Sequence, residues 1–452
     1  MDLEKVYSKL PIFIQNQICS LVGLKNRISR YPRDYKRIFE ELKNNNDLDK
    51  SALKDLQQKR MSRHLQAAVN CDYWAEKFEE FQVDVYAEDA LQEVQKLPIL
   101  TKKEVQLNCE RILNPTFPQK DLNKLHTSGT TGAGLVFWDT KQANYERWAV
   151  WWRYRNLHGI TFDTKCGYFG GRSIVPVSQK KPPYWRYNKP ENQILFSAYH
   201  LSQDTIADYL AAFNEYNPEW LHGYPSQLSL FANLIEEHFP NFDSKVKIIT
   251  IGAENLFSHQ KEVLERVFKC PVIQHYGLQE SVANISQCEN LNLHVDEDLG
   301  YVEFIPKGDS YRIIGTNWSN PAFPLFRYDT NDLCELPDTL ATCNCGSNGR
   351  LVSEINGRNE DYVTLPSGVK LGRLDHIFKD LNFISEAQIV QHQDYSITIK
   401  VVPLSVLSDQ QHALLIEAAQ KRLSDEVRID VDIVAKIPKQ SSGKLKFVIS
   451  EI

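Results

Sequence analysis

Residues 125–134 read LHTSGTTGAG, and this stretch decides how the rest of the chain is read. Three of the chain's 20 glycines (Gly129, Gly132 and Gly134) fall within ten positions, beside the hydroxyls of Thr127, Ser128, Thr130 and Thr131. Such a run packs no core. Glycine allows positive φ and close backbone approach, while serine and threonine offer hydroxyls to whatever comes near. Two readings stand, a plain surface loop or a cradle for phosphate oxygens. The glycine order is not the dinucleotide fingerprint, and Leu135 and Val136 stand where a Walker loop needs Lys and Ser or Thr.

Outward from this loop the texture is that of an α/β protein. From Leu97 onward short apolar runs alternate with helical patterns, as in KVKIITIG (245–252), SHQKEVLERVF (258–268) and CPVIQHYG (270–277). Residues 1–70 are mostly polar with helical spacing and are expected to form a helical N-terminal region. Residues 71–356 are expected to form the large domain. After NGRNED (356–361) the chain reads strand, helix, strand, which predicts a small α+β module over 357–452 joined by a polar hinge.

Composition narrows the class. The chain has 452 residues, 42% hydrophobic and 24% charged, with a formal net charge of −6, and its charges are interspersed. That balance argues against a nucleic-acid backbone as the main partner. No apolar run approaches the roughly 18 residues needed to span a bilayer. The first 24 residues lack a basic segment followed by an apolar block, so no secretion signal is expected; a weakly amphipathic helix there has two readings, contact with a membrane surface or docking on its own domain, and the second is expected. Nine cysteines at irregular spacing do not form a disulfide framework. A cytoplasmic location is expected.

Five further segments accompany the glycine loop in order: IGAE (251–254), HYGLQES (275–281), PLFRYDTNDL (324–333), NGRNED (356–361) and IPKQSSGKLKF (437–447). Each alone is readable as core tyrosine, solvated carboxylate or charged turn. Together with TSGTTG they resemble the motif series of adenylate-forming enzymes, the superfamily of acyl- and aryl-CoA ligases, luciferases and peptide-synthetase adenylation domains. The resemblance implies a large adenylate-forming domain with a small mobile C-terminal domain, and ATP and Mg²⁺ as cofactors. It places Thr127, Ser128, Gly129, Thr130, Thr131 and Gly132 on the phosphates, with Thr130 counted as catalytic. It places Gly252, Ala253 and Glu254 along adenine, and Tyr276 and Gly277 against the ring. Gln279 and Glu280 follow, the glutamate holding Mg²⁺. Asp332 takes the ribose hydroxyls, Arg327 and Arg358 contact the nucleotide, Glu360 is the hinge, and Lys444 reaches the reacting phosphate.

These residue types suit the chemistry. A carboxylate attacks the α-phosphorus of ATP and pyrophosphate leaves, so charge grows on phosphate oxygens. Backbone N–H groups, hydroxyls, a metal and a lysine aimed there in advance stabilise it. A lysine on a moving domain delivers a point charge on a flexible stem.

Cys288 and His294 in CENLNLH, with Cys343 and Cys345 in TCNCG, offer four ligands for tetrahedral zinc or, equally, are plain buried thiols. The phenylacetate-CoA-ligase-like branch is similar here at both places, which implies a structural zinc. Within that branch the chain most resembles the CapK-like group, through LHGYPSQL (221–228), PPYWRYN (182–188), LFSAYHLS (195–202), TLPSGVKLGRLDHIF (364–378) and SSGKLKFVIS (441–450). That group is associated with capsular and other surface polysaccharides. Arg172, Arg186, His200, His222 and Tyr224, beside Tyr184, Trp185 and Tyr199, predict a pocket for a polar small-molecule carboxylic acid; in the other reading they face solvent or brace one another. The acceptor is CoA, a carrier thiol or an amine. Departures are Ala133 for lysine, Gln279 for threonine and Asn331 for glycine. Alternatives are an aryl-acid CoA ligase of the phenylacetate type, a nucleotidylyltransferase and a non-catalytic nucleotide-binding scaffold.

Overall fold

Every residue of Ile248–Ile251 is buried, as suits a central parallel strand covered on both faces. It pairs in parallel with Trp220–Gly223 on one side and with Val272–Gln274 on the other. Cys166–Gly170 and Gln193–Ser197 extend the parallel set, and Trp185–Asn188 closes it as an antiparallel edge. The helix Ser258–Phe268 buries Gln260, Val263, Leu264 and Phe268, the spacing of one helical face. Lys269 ends it in a left-handed turn, φ 54°. In the aromatic centre Phe169 stacks on Phe196 at 4.7 Å and meets Phe231 at a tilt at 4.8 Å between ring centroids.

The computed structural model describes residues 6–7, 9–126, 135–170, 174–176, 178–337, 342–358, 363–366, 370–371, 374–378, 381, 383–403, 406–423, 427–439 and 445–452. Its contacts divide the chain into two units. The first joins Met1–Arg27, Phe162–Gln274 and Gly357–Ile452; the second joins Ile28–Thr161 and His275–Asn356.

The last part of the first unit is α+β, as its sequence predicts. Four strands lie in the order Ile429–Ile433, Ile397–Pro403, Ile384–Gln391, Val448–Ser450, with the helix Asp409–Leu423 burying Leu415, Ala419 and Leu423. A buried ion pair, Lys439 Nζ to Glu386 Oε1 at 3.1 Å, lies within this module.

In the second unit, the antiparallel strands Tyr301–Lys307, Ser310–Thr316 and Tyr328–Glu335 form a meander. The helices Lys50–Ala68 and Asp72–Glu80 bring Met61, Leu65, Trp74 and Phe78 to a core shared with Phe323 and Phe326. Trp74 satisfies its indole N–H on the Pro324 carbonyl at 2.9 Å. The helix Lys141–Leu157 buries Glu146, Arg147 and Arg153 as well as apolar side chains. Arg153 meets Asp296 and Asp298, each at 2.7 Å, the pairing that a buried charge requires. The architecture is α/β with mixed sheets and a small α+β C-terminal part.

Candidate active site and a Cys/His cluster

Two of the predicted nucleotide residues meet in the second unit. The Tyr276 hydroxyl donates to Asp332 Oδ2 at 2.8 Å. Burial first, and then the Asp332 carboxylate, hold the phenol proton on well above its ordinary range. Asp332 is positioned by its own strand: its amide donates to Thr330 Oγ1 at 3.1 Å, and that hydroxyl donates to the Ile313 carbonyl at 2.8 Å. Asn331, where the related motif has glycine, adopts φ 62°. Asparagine is among the few residues that take the left-handed region readily, so the replacement keeps the turn. Glu280 is buried, and its carbonyl accepts from Asn317 Nδ2 at 3.1 Å. Gly277 leaves no room for a side chain, since a Cβ there would lie 2.6 Å from Asn284 Oδ1. That same oxygen accepts from Trp151 Nε1 at 3.0 Å and from His275 Nε2 at 2.9 Å. Burial lowers the His275 pKa to about 4, so the ring is neutral.

Arg147, which motif reading missed, links two of these parts. Its guanidinium pairs with Asp139 at 2.9 Å and donates to the Gln279 carbonyl at 2.8 Å. Asp139 ends the strand Val136–Asp139, which pairs with Asn123–His126 so that His126 faces Val136. These strands flank Thr127, Ser128, Gly129, Thr130, Thr131 and Gly132, which lie outside the described residues. Nothing in the helix pattern around Arg147 distinguishes it from a surface arginine. Arg327, by contrast, is tied to Glu303 at 3.0 Å and to the Gln95 and Leu97 carbonyls.

In the first unit, the loops after the carboxyl ends of parallel strands carry Tyr224 and Gly252–Glu254, the usual ligand side of such a sheet. Ala253 adopts φ 68°. Glu254 accepts from the Ser226 amide at 3.3 Å and from the Leu445 amide at 3.2 Å. Burial raises its pKa, and its hydrogen bonds and the Lys439 charge oppose that rise. The residue next to Lys444 is thereby held on the IGAE segment, while Lys444 itself lies outside the described residues, as do Arg172 and Glu360. Arg358 ends the strand Glu354–Arg358, and its side chain is likewise outside the description.

His222 bonds Thr250 Oγ1 through Nδ1 at 2.8 Å, and Tyr224 immediately precedes the helix Pro225–His238, its amide donating to the Phe169 carbonyl at 2.9 Å. His200 bonds Ser197 Oγ at 2.7 Å and stacks on Tyr184 at 5.0 Å. Arg186 is 0% exposed, and its guanidinium donates to Gln15, Gln179 and the Pro183 and Trp185 carbonyls. For Arg186 the bracing alternative describes the geometry, because every donor is engaged inside the unit.

Cys288, His294, Cys343 and Cys345 come together in the second unit with their donor atoms all within 4.8 Å of one another. Cys288 Sγ and Cys343 Sγ are 3.7 Å apart, and Cys345 Sγ and His294 Nε2 are 3.5 Å apart. A tetrahedral ion with metal–sulfur bonds of about 2.3 Å and metal–nitrogen bonds of about 2.0 Å has edges of roughly 3.8 and 3.5 Å. The donor set therefore fits a tetrahedral metal, and the sulfurs are too far apart for a disulfide. His294 Nδ1 donates to the Gly349 carbonyl at 3.0 Å, which turns Nε2 toward the thiols. Burial opposes ionisation of Cys343, yet the hydrogen bonds around it, those from the Cys345 amide and Asn292 among them, lower its pKa to about 6.

Residues 365–451 match the CapK C-terminal domain family. The whole chain is 27% identical to Protein CapK of Staphylococcus aureus over 465 aligned positions, covering 100% of both. A crystal structure of 2-hydroxyisobutyryl-CoA ligase in the postadenylation state with 2-HIB-AMP superposes with a TM-score of 0.64 at 17% identity, over 87% of this chain and 89% of that one. The same ligase with 2-HIB-AMP and CoA in the thioesterification state gives 0.55 at 17% identity, over 90% and 91%. The chain is thus similar to Protein CapK along its full length and has the fold of 2-hydroxyisobutyryl-CoA ligase.

Proposed function

We propose that this protein is an ATP-dependent ligase that activates a polar carboxylic acid as its acyl-adenylate in capsular or surface polysaccharide biosynthesis. The Tyr276–Asp332 hydrogen bond of 2.8 Å carries the reading. It joins the side chains expected against adenine and on the ribose, which stand in separate motifs. The Leu445–Glu254 contact supports it, since it holds the neighbour of Lys444 on the segment expected along adenine.

In this mechanism a carboxylate oxygen forms a bond to the α-phosphorus and the bond to pyrophosphate breaks. Asp332 orients the ribose, Gly252, Ala253 and Glu254 lie along adenine, and residues 127–132 meet the phosphates. Lys444 places positive charge on the oxygens where charge develops. Glu280 would hold Mg²⁺, which neutralises phosphate charge when bound. The acceptor we favour is a thiol such as that of CoA, because the 2-hydroxyisobutyryl-CoA ligase sharing the fold was crystallised with CoA. Cys288, His294, Cys343 and Cys345 would hold a structural Zn²⁺, with no coordination position left for substrate. Domain boundaries near 70 and 356, with Glu360 as pivot, are part of the same proposal.

The test is carboxylate-dependent ATP–pyrophosphate exchange with Mg²⁺ over uronic, hydroxy, amino, aryl and fatty acids. Exchange with one polar class is expected, falling by about a hundredfold or more in Glu280→Ala and Lys444→Ala. Exchange with aryl acids alone would move the protein to the phenylacetate type. ATP binding without exchange for any acid would favour the scaffold.

A further inference from the structure

The helix Ile12–Arg30 is held by one face. Gln15 Oε1 accepts from Arg186, Asn16 Oδ1 accepts from the Tyr187 amide at 3.0 Å, and Ser20 Oγ donates to the Tyr187 carbonyl at 3.2 Å. Gly23 lies so close to Asn188 that a Cβ would overlap its side chain. These contacts cover Trp185–Asn188, the edge strand of the first unit, and satisfy backbone groups that an open edge exposes.

The opposite face is apolar and open to solvent. Phe13, Leu21, Leu24 and Ile28 are 67%, 64%, 44% and 67% exposed. At about 100° per residue they fall in a stripe roughly 80° wide, with Gln17 as its polar member. Lys25 and Arg27, both exposed, lie on opposite margins of that stripe, and Arg27 donates one N–H to the Pro190 carbonyl while its remaining donors stay exposed. Between Val6 and Arg33 the chain carries Lys9, Lys25, Arg27, Arg30 and Arg33, and none of its 58 acidic residues. An apolar stripe with cations along both margins is the pattern of a helix lying in a membrane interface.

We infer that this face binds the surface of an anionic lipid bilayer, with the helix axis in the membrane plane. Charge selects the occupant. A second copy seated on the same face would set these cations against their equivalents with no carboxylate of the segment to pair them, whereas lipid phosphates complement them. No described helix is long and apolar enough to cross a membrane, so the contact is with the surface. The sequence expectation that this helix docks on its own domain describes its inner face.

The test is co-sedimentation of the full chain with vesicles of mixed phosphatidylglycerol and phosphatidylcholine, against phosphatidylcholine alone. Binding to the anionic vesicles is expected, with amide-exchange protection appearing in residues 12–30. It should fall by at least about tenfold in the double variant Leu21→Asp, Leu24→Asp and several-fold in Lys25→Gln. Both variants alter exposed side chains, so their unfolding midpoints should match wild type. No binding to anionic vesicles at low ionic strength would overturn the inference. So would binding that the double variant leaves intact, or protection of residues 12–30 that follows chain concentration instead of lipid and marks a second copy as occupant.

Discussion

Tyr276, whose ring we propose against adenine, also holds Asp332 through its oxygen. The hydroxyl's hydrogen bond to Asp332 removes one freedom from the carboxylate expected to receive the ribose. A neutral-to-charged hydrogen bond of this kind is worth about 1.5–3 kcal/mol. Tyr276→Phe keeps the ring, so its effect should fall on nucleotide binding. The KM for ATP in exchange should rise about tenfold, with kcat within about twofold. An unchanged KM would show that Asp332 is oriented without the phenol. Asn331 and Gly277 carry the same lesson about single positions. The first departs from the related motif yet keeps the left-handed turn, and the second admits no Cβ beside Asn284.

At the level of elements, the Cys/His cluster ties the strand Leu293–Val295, which carries His294, to the 343–345 turn. Asn348, beyond that turn, donates to the Leu48 carbonyl at 2.9 Å, so order at the cluster reaches the start of the helix Lys50–Ala68. Metal analysis of the purified chain should find about one zinc per chain. Removal by a strong chelator, or Cys343→Ser, should lower the unfolding midpoint by several degrees, since about 1 kcal/mol shifts a domain of this size by roughly 2–4 °C. Exchange activity well below that midpoint should persist. Its loss while the fold persists would give the ion a role in the reaction. The helix Lys141–Leu157 shows why part of this was hidden. Its inward positions include Glu146, Arg147 and Arg153, and a pattern search for apolar spacing passes over charges whose partners lie far along the chain.

For the whole molecule, three histidines set an acid limit, His64 fully buried and His259 and His275 partly so. Burial lowers the pKa of His64 to about 3 and those of His259 and His275 to about 4. A depressed histidine pKa stabilises the fold fully above the unfolded value near 6.5, and that contribution is lost as pH falls through 6.5 toward the folded value. By pH 5 each should cost about 2 kcal/mol. The unfolding midpoint should therefore drop between pH 7 and pH 5, and His64→Phe should shrink the drop. An unchanged midpoint across that range would contradict rings held neutral in the fold. The chain's order of apolar runs and punctuating motifs determined the α/β class and the α+β C-terminal part, because periodicity and short motifs are local. Only the tertiary structure decided that Tyr276 bonds Asp332 across 56 positions, that Leu445 reaches Glu254 across 191, and that Arg186 is fully engaged in bracing. Such pairings depend on which strands lie side by side and which loops they bring together, and no local pattern encodes a partner that distant.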